Sequence, residues 1–593
     1  MSGARRSAGI TNDTALVIGL AAFAVLAVAS LWAVLHLAAW LGHQPPPPNQ
    51  PVELVTDLIK GQLRWPRYGF LLLGAPLAAM LAIAVAAALL WRGVHRRRRR
   101  LRGDRAAALM GTGKDLEAVS QRSVKAAAQR LGVTGSFGLK IAETVTAPHA
   151  LWQSWEDVSV DIWGPRQGKT TARVIPAILA APGAVVVTSN KRDVVDATRG
   201  VRELAGPVWV FDPQSICGQT PTWWWNPLGG INNEVDAQKL AAIFVAASRP
   251  VGARTDAYFD GAGEDLLAGL ILAAAAGRRP VTEVYLWLTR PTDTEPAILL
   301  EQAGFALVAA GVRNIIDAPD KQRGGVYGTA GRVVNFMTNS AAMAWCTPTG
   351  QSRPQFHPDQ FVSAGLQTLY SISKEGQGSA GPVVTALTVA VTEAAERLSE
   401  RSPLGRLPIP MVLVLDEAAN VCRWTELPNL YSHFGSRGIV VLTILQSWAQ
   451  GVEVWGREGM IKLWAAATVK VVGSGVGGGD FLQELSTLIG DWDAPHTSRS
   501  TGRGTSPSYN HSRQREPIMD VADIAALPKG RCIVHAAGTR PALCRALPWM
   551  TGPHAQAIRA SLDRFDPNAP AAPPGPATGP VVAPPRQQLG TSR

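Results

Sequence analysis

Cysteine and histidine are scarce in this chain of 593 residues, and their spacing excludes several kinds of site. The five cysteines include no C-x-x-C pair, so the sequence predicts neither a structural zinc site nor a dithiol redox pair. An odd number of scattered thiols is typical of a protein from a reducing cytosol. The ten histidines form no tight cluster, and we therefore do not expect a metal-dependent nuclease.

Acidic residues are also fewer than basic residues. The chain carries 45 aspartates and glutamates against 57 lysines and arginines, which gives a formal net charge of +12 and an isoelectric point near 9.7. Such a balance favours contact with polyanions such as DNA, RNA or acidic lipid. At this length a single core is not expected, so the sequence predicts two or more domains.

Two long apolar stretches near the N-terminus lack formal charge. They cover residues 16–41 and 69–91, and each exceeds the roughly 20 residues that a helix needs to cross a bilayer. Arg5 and Arg6 precede the first stretch, and an arginine run at 96–100 follows the second. The positive-inside rule predicts a multi-pass protein of the plasma (inner) membrane, with both termini and the long segment after the second stretch in the cytoplasm.

Residues 163–171, with the sequence WGPRQGKTT, resemble a phosphate-binding loop. In such a loop the backbone N–H groups and a helix N-terminus face the phosphates, the lysine adds positive charge, and the next hydroxyl ligates Mg²⁺. Here Lys169 and Thr170 would take those roles. The usual pattern is G-x-x-x-x-G-K-[ST], but Trp163 occupies the place of the first glycine. The predicted nucleotide-binding residues are Gly164, Pro165, Arg166, Gln167, Gly168, Lys169, Thr170, Thr171 and Asp416.

An apolar run at 411–415 ends in the acidic pair Asp416 and Glu417. A buried strand of this kind delivers its last side chains to the carboxyl edge of a parallel sheet, where ligands bind in such folds. We expect Asp416 to hold Mg²⁺ together with Thr170, and Glu417 to orient and deprotonate the attacking water. Loop and acidic pair together predict an ATPase.

Two further residues fit a motor that hydrolyses ATP. Gln446 follows the apolar run 439–445, where a polar side chain can contact the γ-phosphate and report its loss. Arg437 lies just before the same run and could act as an arginine finger on the ATP of a neighbouring subunit. A finger supplied in trans requires a head-to-tail interface that closes into a ring.

A compact nucleotide-binding core needs on the order of 100 residues between these two motifs. The interval between Lys169 and Asp416 is much longer. Short apolar runs alternate with helical patterns, which predicts an α/β fold with a parallel, RecA-like P-loop sheet. The inserted residues have a helical pattern. The predicted segments are a membrane anchor at 1–105, the nucleotide-binding domain at 106–235 and 351–565, an all-α insertion at 236–350, and a disordered tail at 566–593. Residues 497–515 are predicted to form an exposed loop.

In these motifs the chain resembles the TraG/TraD-like coupling proteins of type IV secretion and conjugation, a branch of the FtsK-related P-loop ATPases. Besides the paired apolar stretches and the insertion, the resemblance is carried by residues 164–171, 188–193, 211–213, 225–228, 416–420, 446–450 and 527–549. It implies a membrane-anchored homo-hexamer that uses ATP and Mg²⁺. It also implies single-stranded DNA with an attached relaxase as cargo, and the components of a type IV secretion channel as partners.

Two other functions stay open on the sequence alone. One is a double-stranded DNA translocase of the FtsK/SpoIIIE type, although the chain after Trp549 leaves no room for the C-terminal winged-helix module expected there. The other is an ATP-binding receptor that moves nothing, for which Glu417→Gln would leave function intact. The absence of a nuclease signature predicts a separate DNA-nicking partner.

Overall fold

The computed structural model describes residues 28–61, 63, 65–72, 74, 102–248, 256–348, 352–376, 379–500 and 508–567. The chain divides into two compact units, residues 1–100 and 101–593. In the first unit, residues 28–41 are helical and a second helix covers Pro51–Ile59.

The predicted membrane location is not supported. Within the described residues, no helix has the length and apolar character needed to cross a bilayer. The remaining parts of the two predicted spans, residues 16–27 and most of 69–91, lie outside the described residues. The prediction of a multi-pass plasma-membrane protein is therefore corrected here.

The second unit is built on an eleven-stranded mixed sheet with the strand order β2-β1-β13-β12-β9-β3-β8-β7-β4-β6-β5. Its strands are β1 (Leu139–Thr144), β2 (Ala150–Gln153), β3 (Ser159–Ile162), β4 (Val185–Ser189), β5 (Val208–Phe211), β6 (Thr368–Ile372), β7 (Met411–Leu415), β8 (Ile439–Leu445), β9 (Val469–Gly473), β12 (Arg531–Ala536) and β13 (Ala542–Arg545). The predicted α/β class is confirmed.

The strands from β9 to β5 in this order run parallel, and β12, β13, β1 and β2 continue the sheet in antiparallel pairing. The central strands β4, β6, β7 and β8 are buried along their whole length. Their near-continuous apolar sequences reflect this burial, because helices cover both faces of the sheet. Two separate apolar clusters lie on the alternating sides of these strands.

Helices fill the connections. In chain order they cover Gln121–Arg130, Ile175–Ala180, Asp193–Arg202, Glu234–Ser248, Ala257–Ala276, Thr282–Leu288, Glu295–Gln302, Ala306–Ile316, Asp320–Val333, Ser340–Met343, Pro358–Ser363, Gly381–Arg401, Ala418–Val421, Leu427–Arg437, Trp448–Ala466, Gly479–Ile489, Val521–Ala525 and Ala555–Phe565. Between β5 and β6, the described residues contain the helices from Glu234–Ser248 to Pro358–Ser363 and contribute no strand to the sheet. The domain bounds, including 236–350 for the insertion, stay a prediction.

One predicted loop has regular structure instead. Residues 491–500 and 508–517 form an antiparallel ribbon of two strands, β10 (Asp491–Ser500) and β11 (Ser508–Pro517), outside the main sheet. The prediction of a loop at 497–515 was wrong for the described part of this segment. Strand pairing needs only backbone N–H and C=O groups, so a polar sequence without apolar alternation gave no signal for it.

Candidate nucleotide-binding site

Three sheet neighbours bring the predicted motifs to one edge. Strands β3, β8 and β7 are adjacent and parallel. The phosphate loop follows β3, Gln446 follows β8, and the acidic pair follows β7. Because parallel strands end at the same edge, side chains that are distant in sequence converge there.

The phosphate loop has a tight backbone between β3 and the helix that follows. Arg166 and Gly168 both have left-handed backbones, with φ of 59° and 93°. For a residue with a side chain, such as Arg166, this conformation costs on the order of 1–3 kcal/mol and persists only where the surroundings fix it. The Thr171 hydroxyl and the Ala172 N–H both donate to the carbonyl of Gly168, each at 3.0 Å. Residues 170–174 then form a π-helical turn that opens the helix.

The structure explains why Trp163 can replace the first glycine of the loop. The Trp163 ring is buried against Gly473, where an added Cβ would lie 2.1 Å from it. The close approach to a neighbouring backbone is made one residue later, by Gly164, whose added Cβ would meet the carbonyl oxygen of Gly475 at 2.1 Å. The close backbone contact that usually needs a glycine at the first position of the loop is therefore made here by Gly164 and Gly475.

Lys169 lies between the two acidic side chains. Its ammonium group contacts the Glu417 carboxylate, and its Nζ lies 3.1 Å from Oδ1 of Asp416. All three residues are buried, with exposed fractions of 9%, 3% and 3%. Buried charges are tolerated when they are paired in this way. The site therefore holds one positive and two negative groups in close contact.

Asp416 is held in an environment that disfavours its charge. Burial raises the pKa of the Asp416 carboxyl above its ordinary value, Lys169 opposes this shift, and the negative charge of Glu417 adds to it. The Ser189 hydroxyl, at the end of β4, donates to Oδ2 of Asp416 at 3.4 Å. A cation entering the site would stabilise the ionised carboxylate that burial disfavours.

Glu417 has a strained backbone and a direct contact with Gln446. Its φ and ψ are 56° and 43°, the left-handed region that a glutamate rarely adopts. The Gln446 side-chain amide donates to both carboxylate oxygens of Glu417 at 2.7 Å. The backbone N–H of Gln446 in turn donates to Gln450 at 3.0 Å. Strain of this kind clusters at functional sites, and here it coincides with the residue predicted to be the base.

Arg437 is not brought to this site within the chain. It ends the helix Leu427–Arg437 and so precedes β8, whereas Gln446 follows β8. The strand separates them by roughly 20 Å at about 3.3 Å per residue. Arg437 contacts the Glu396 carboxylate and lies 3.6 Å from that of Glu400.

Sequence reasoning missed three residues near the site. Ser189 could have been found, since it ends a strand next to β7 in the same sheet. Asp161 and Arg173 could not have been found from the sequence. They form an ion pair at 2.5 Å between β3 and the turn after the phosphate loop, and both are almost fully buried. Nothing in their spacing distinguishes them from surface charges. This pair ties the start of the helix to the strand beneath it.

The residues at this edge fit a magnesium nucleotide. Mg²⁺ is held in proteins by one or two carboxylates and hydroxyls together with phosphate oxygens, and Asp416 and Thr170 are the groups of that kind here. Lys169 and the backbone of 166–170 are placed to face phosphates. Once bound, the metal would neutralise charge on the phosphate oxygens.

Part of the chain matches a known protein family by sequence. Residues 410–529 match the family described as "TraM recognition site of TraD and TraG". This range contains Asp416, Glu417, Arg437 and Gln446. No curated protein matches the chain by sequence.

Solved structures match over most of the chain. The unbound monoclinic form of the bacterial conjugative coupling protein TrwBdeltaN70 has a TM-score of 0.51 and 18% identity, over 72% of this chain and 91% of that one. TrwB with the ATP analogue ADPNP has a TM-score of 0.48 and 18% identity, over 72% and 92%. VirB4 of Thermoanaerobacter pseudethanolicus has a TM-score of 0.39 and 14% identity, over 71% and 98%. At these identities only the fold is compared, and only the first match supports it. With the sequence match over 410–529, the resemblance of this chain to the TraG/TraD-like coupling proteins is confirmed.

Proposed function

We propose that this chain binds ATP with Mg²⁺ at the carboxyl edge of its sheet and hydrolyses it. The observation that carries the proposal is the convergence of Lys169, Asp416, Glu417 and Gln446 from three parallel strands. Four polar side chains from distant parts of the sequence, mostly buried and in mutual contact, are a costly arrangement that a purely structural role does not require.

Each residue has a proposed role. Lys169 binds the β- and γ-phosphates, and must leave its contacts with Asp416 and Glu417 to do so. Asp416 and Thr170 hold Mg²⁺. Glu417, once released from Lys169, accepts a proton from the attacking water. Gln446 contacts Glu417 and reports the state of the γ-phosphate.

For the cell, we propose a coupling ATPase of conjugative DNA transfer. It would bring single-stranded DNA with an attached relaxase to a type IV secretion channel and drive transfer by ATP hydrolysis. The sequence match over 410–529 and the resemblance to TraG/TraD-like proteins support this proposal. The net charge of +12 suits a polyanionic cargo.

The test is ATP hydrolysis by the full chain, alone and with single- or double-stranded DNA, beside Lys169→Ala and Glu417→Gln. We expect stimulation by single strands and loss of turnover in both variants. Stimulation by duplex alone would favour the FtsK-type translocase. Turnover absent under every condition, with ATP still bound, would favour the receptor that moves nothing.

We further propose that the active form is a homo-hexamer in which Arg437 acts on the ATP of a neighbouring chain. The position of Arg437, outside its own site, supports a role in trans. Mixing two inactive variants tests it. Arg437→Ala keeps an intact Glu417, and Glu417→Gln keeps an intact Arg437, so mixed rings would recover some turnover. If the mixture stays as inactive as either variant while both still assemble, Arg437 does not act in trans.

A further inference from the structure

We propose that the loop after β9, residues 474–478, is a working part of the nucleotide site, and that Ser474 is the positioning residue in it. This β9 loop has no side chain in the nucleotide motifs recognised from sequence. Its role would be to hold the phosphate loop in the shape that binds phosphates. The inference rests on the proposed ATP binding.

Two hydrogen bonds join the β9 loop to the phosphate loop. The Gly164 N–H donates to the carbonyl oxygen of Ser474 at 3.0 Å. The Ser474 hydroxyl donates to Oε1 of Gln167 at 3.1 Å. Ser474 is buried, with an exposed fraction of 1%. One residue therefore binds both the first and the central part of the phosphate loop.

The two segments also leave no space between them. An added Cβ on Gly475 would lie 2.9 Å from Cγ of Gln167, and one on Gly164 would lie 2.1 Å from the Gly475 carbonyl oxygen. Gly475 has a φ of 73°, which a glycine adopts without strain. Such close backbone contact fixes the position of the phosphate loop relative to β9.

Gln167 is the residue where this contact matters most for nucleotide binding. It stands between Arg166 and Gly168, both with left-handed backbones. A left-handed arginine persists only where neighbouring groups fix it. Held through its side chain by Ser474, Gln167 would keep the N–H groups of this stretch aimed at the phosphates before they arrive. Releasing it would weaken nucleotide binding, because ordering the loop would then have to accompany binding.

Ser474 contacts the loop and none of the predicted catalytic side chains in the contacts described. Its loss should therefore raise KM for ATP and leave kcat nearly unchanged. For Ser474→Ala in the full chain we expect KM, and the Kd of a fluorescent ATP analogue, to rise about 5- to 10-fold, the effect of one hydrogen bond. Gln167→Ala should act similarly, and the double variant should be no weaker than the more affected single one.

The matched control is Ser486→Ala. Ser486 is also a buried serine, and its hydroxyl donates to the backbone carbonyl of Met519 at 2.7 Å, away from the phosphate loop. Both serine variants lose one buried hydrogen bond, so both should lower the melting temperature slightly. Only Ser474→Ala should change KM and Kd.

Three results would overturn the inference. KM and Kd could stay unchanged in Ser474→Ala, the effects of Ser474→Ala and Gln167→Ala could be independent and multiply, or Ser486→Ala could raise KM as much. Lys169→Ala, measured in the same experiment, distinguishes a failure of the role proposed for Ser474 from a failure of the proposed ATP binding. If wild type binds ATP and Lys169→Ala does not, ATP binding stands and only the role of Ser474 is lost. If wild type binds no ATP, both fail.

Discussion

The two ends of strand β8 carry the same kinds of side chain in very different surroundings. At its carboxyl end, Gln446 donates to Glu417, which contacts Lys169, in a buried cluster with Asp416. At its amino end, Arg437 pairs with Glu396 and Glu400 and keeps 31% of its side chain exposed. Only eight residues of sequence, 438–445, separate the buried polar cluster from the surface ion pair.

The difference follows from the geometry of parallel strands. Each central strand is flanked by loops at both ends, but at the carboxyl end those loops meet a helix N-terminus and a glycine-rich turn. The N–H groups of the helix N-terminus and of the turn can bind a negatively charged ligand. The opposite edge of the sheet has no phosphate loop and so does not offer these groups. Charged residues at the carboxyl edge are therefore kept at a cost in stability, whereas those at the amino edge remain near water.

Removing the carboxylate of Glu417 should have the largest effect on activity. Glu417→Gln keeps the size and the left-handed backbone of the residue but removes the base. We expect turnover of ATP to fall about 10²- to 10⁴-fold, the usual contribution of a positioned base, with ATP still bound. Glu156→Gln, which precedes β3 at the amino edge and pairs with Arg130, is the control and should keep turnover within about 2-fold in the same assay. A similar loss in both variants would mean that the two edges do not differ in function.

Removing the ammonium group of Lys169 should have the largest effect on stability. Lys169→Met leaves Asp416 and Glu417 buried without their cation, and breaking a buried pair in this way costs about 3–5 kcal/mol. Urea unfolding of the nucleotide-free chain measures this loss in the free energy of unfolding. Burial already raises the pKa of Asp416, and proton uptake by this carboxylate would reduce the loss at low pH, so the measurement is made near pH 8. Unchanged stability would show that water reaches the pair.

How far the sequence predicts this arrangement depends on the kind of contact. The placement of Lys169 and Asp416 at one edge follows from two motifs that each come directly after a buried apolar strand of a parallel sheet, and such motifs leave strong local patterns. The contacts that hold these motifs in place cannot be predicted in the same way. The pairing of Asp161 with Arg173, and the contact of Ser474 with Gln167, join residues whose types and spacing are ordinary. The ribbon of β10 and β11 left no apolar pattern, because its pairing is carried by the backbone.

The raised pKa of Asp416 predicts a pH dependence of stability that Asp416→Asn should remove. Burial makes the folded state hold its proton more tightly than the unfolded chain, where an aspartate has a pKa of about 3.9. The contribution of Asp416 to stability is therefore fully present below about pH 4 and is lost as the pH rises through the raised pKa. The melting temperature of Asp416→Asn relative to wild type should become more favourable from pH 4 to pH 8, by a few degrees. Ser486→Ala, which removes no ionisable group, is the control, and its melting temperature relative to wild type should not change with pH.

The smallest expected effect is the loss of the ion pair at the amino edge. Arg437→Ala removes contacts with Glu396 and Glu400 that lie partly in water, so the free energy of unfolding of the isolated chain should fall by less than about 1 kcal/mol. Burial already raises the pKa of the Glu396 carboxyl, so that group can take up a proton once Arg437 is gone. Urea unfolding at pH 7 in low and high salt is the measurement, and salt should reduce the small difference between variant and wild type further. A loss of several kcal/mol that salt does not change would place Arg437 in the same class as Lys169. The contrast between the two ends of β8 would then not hold.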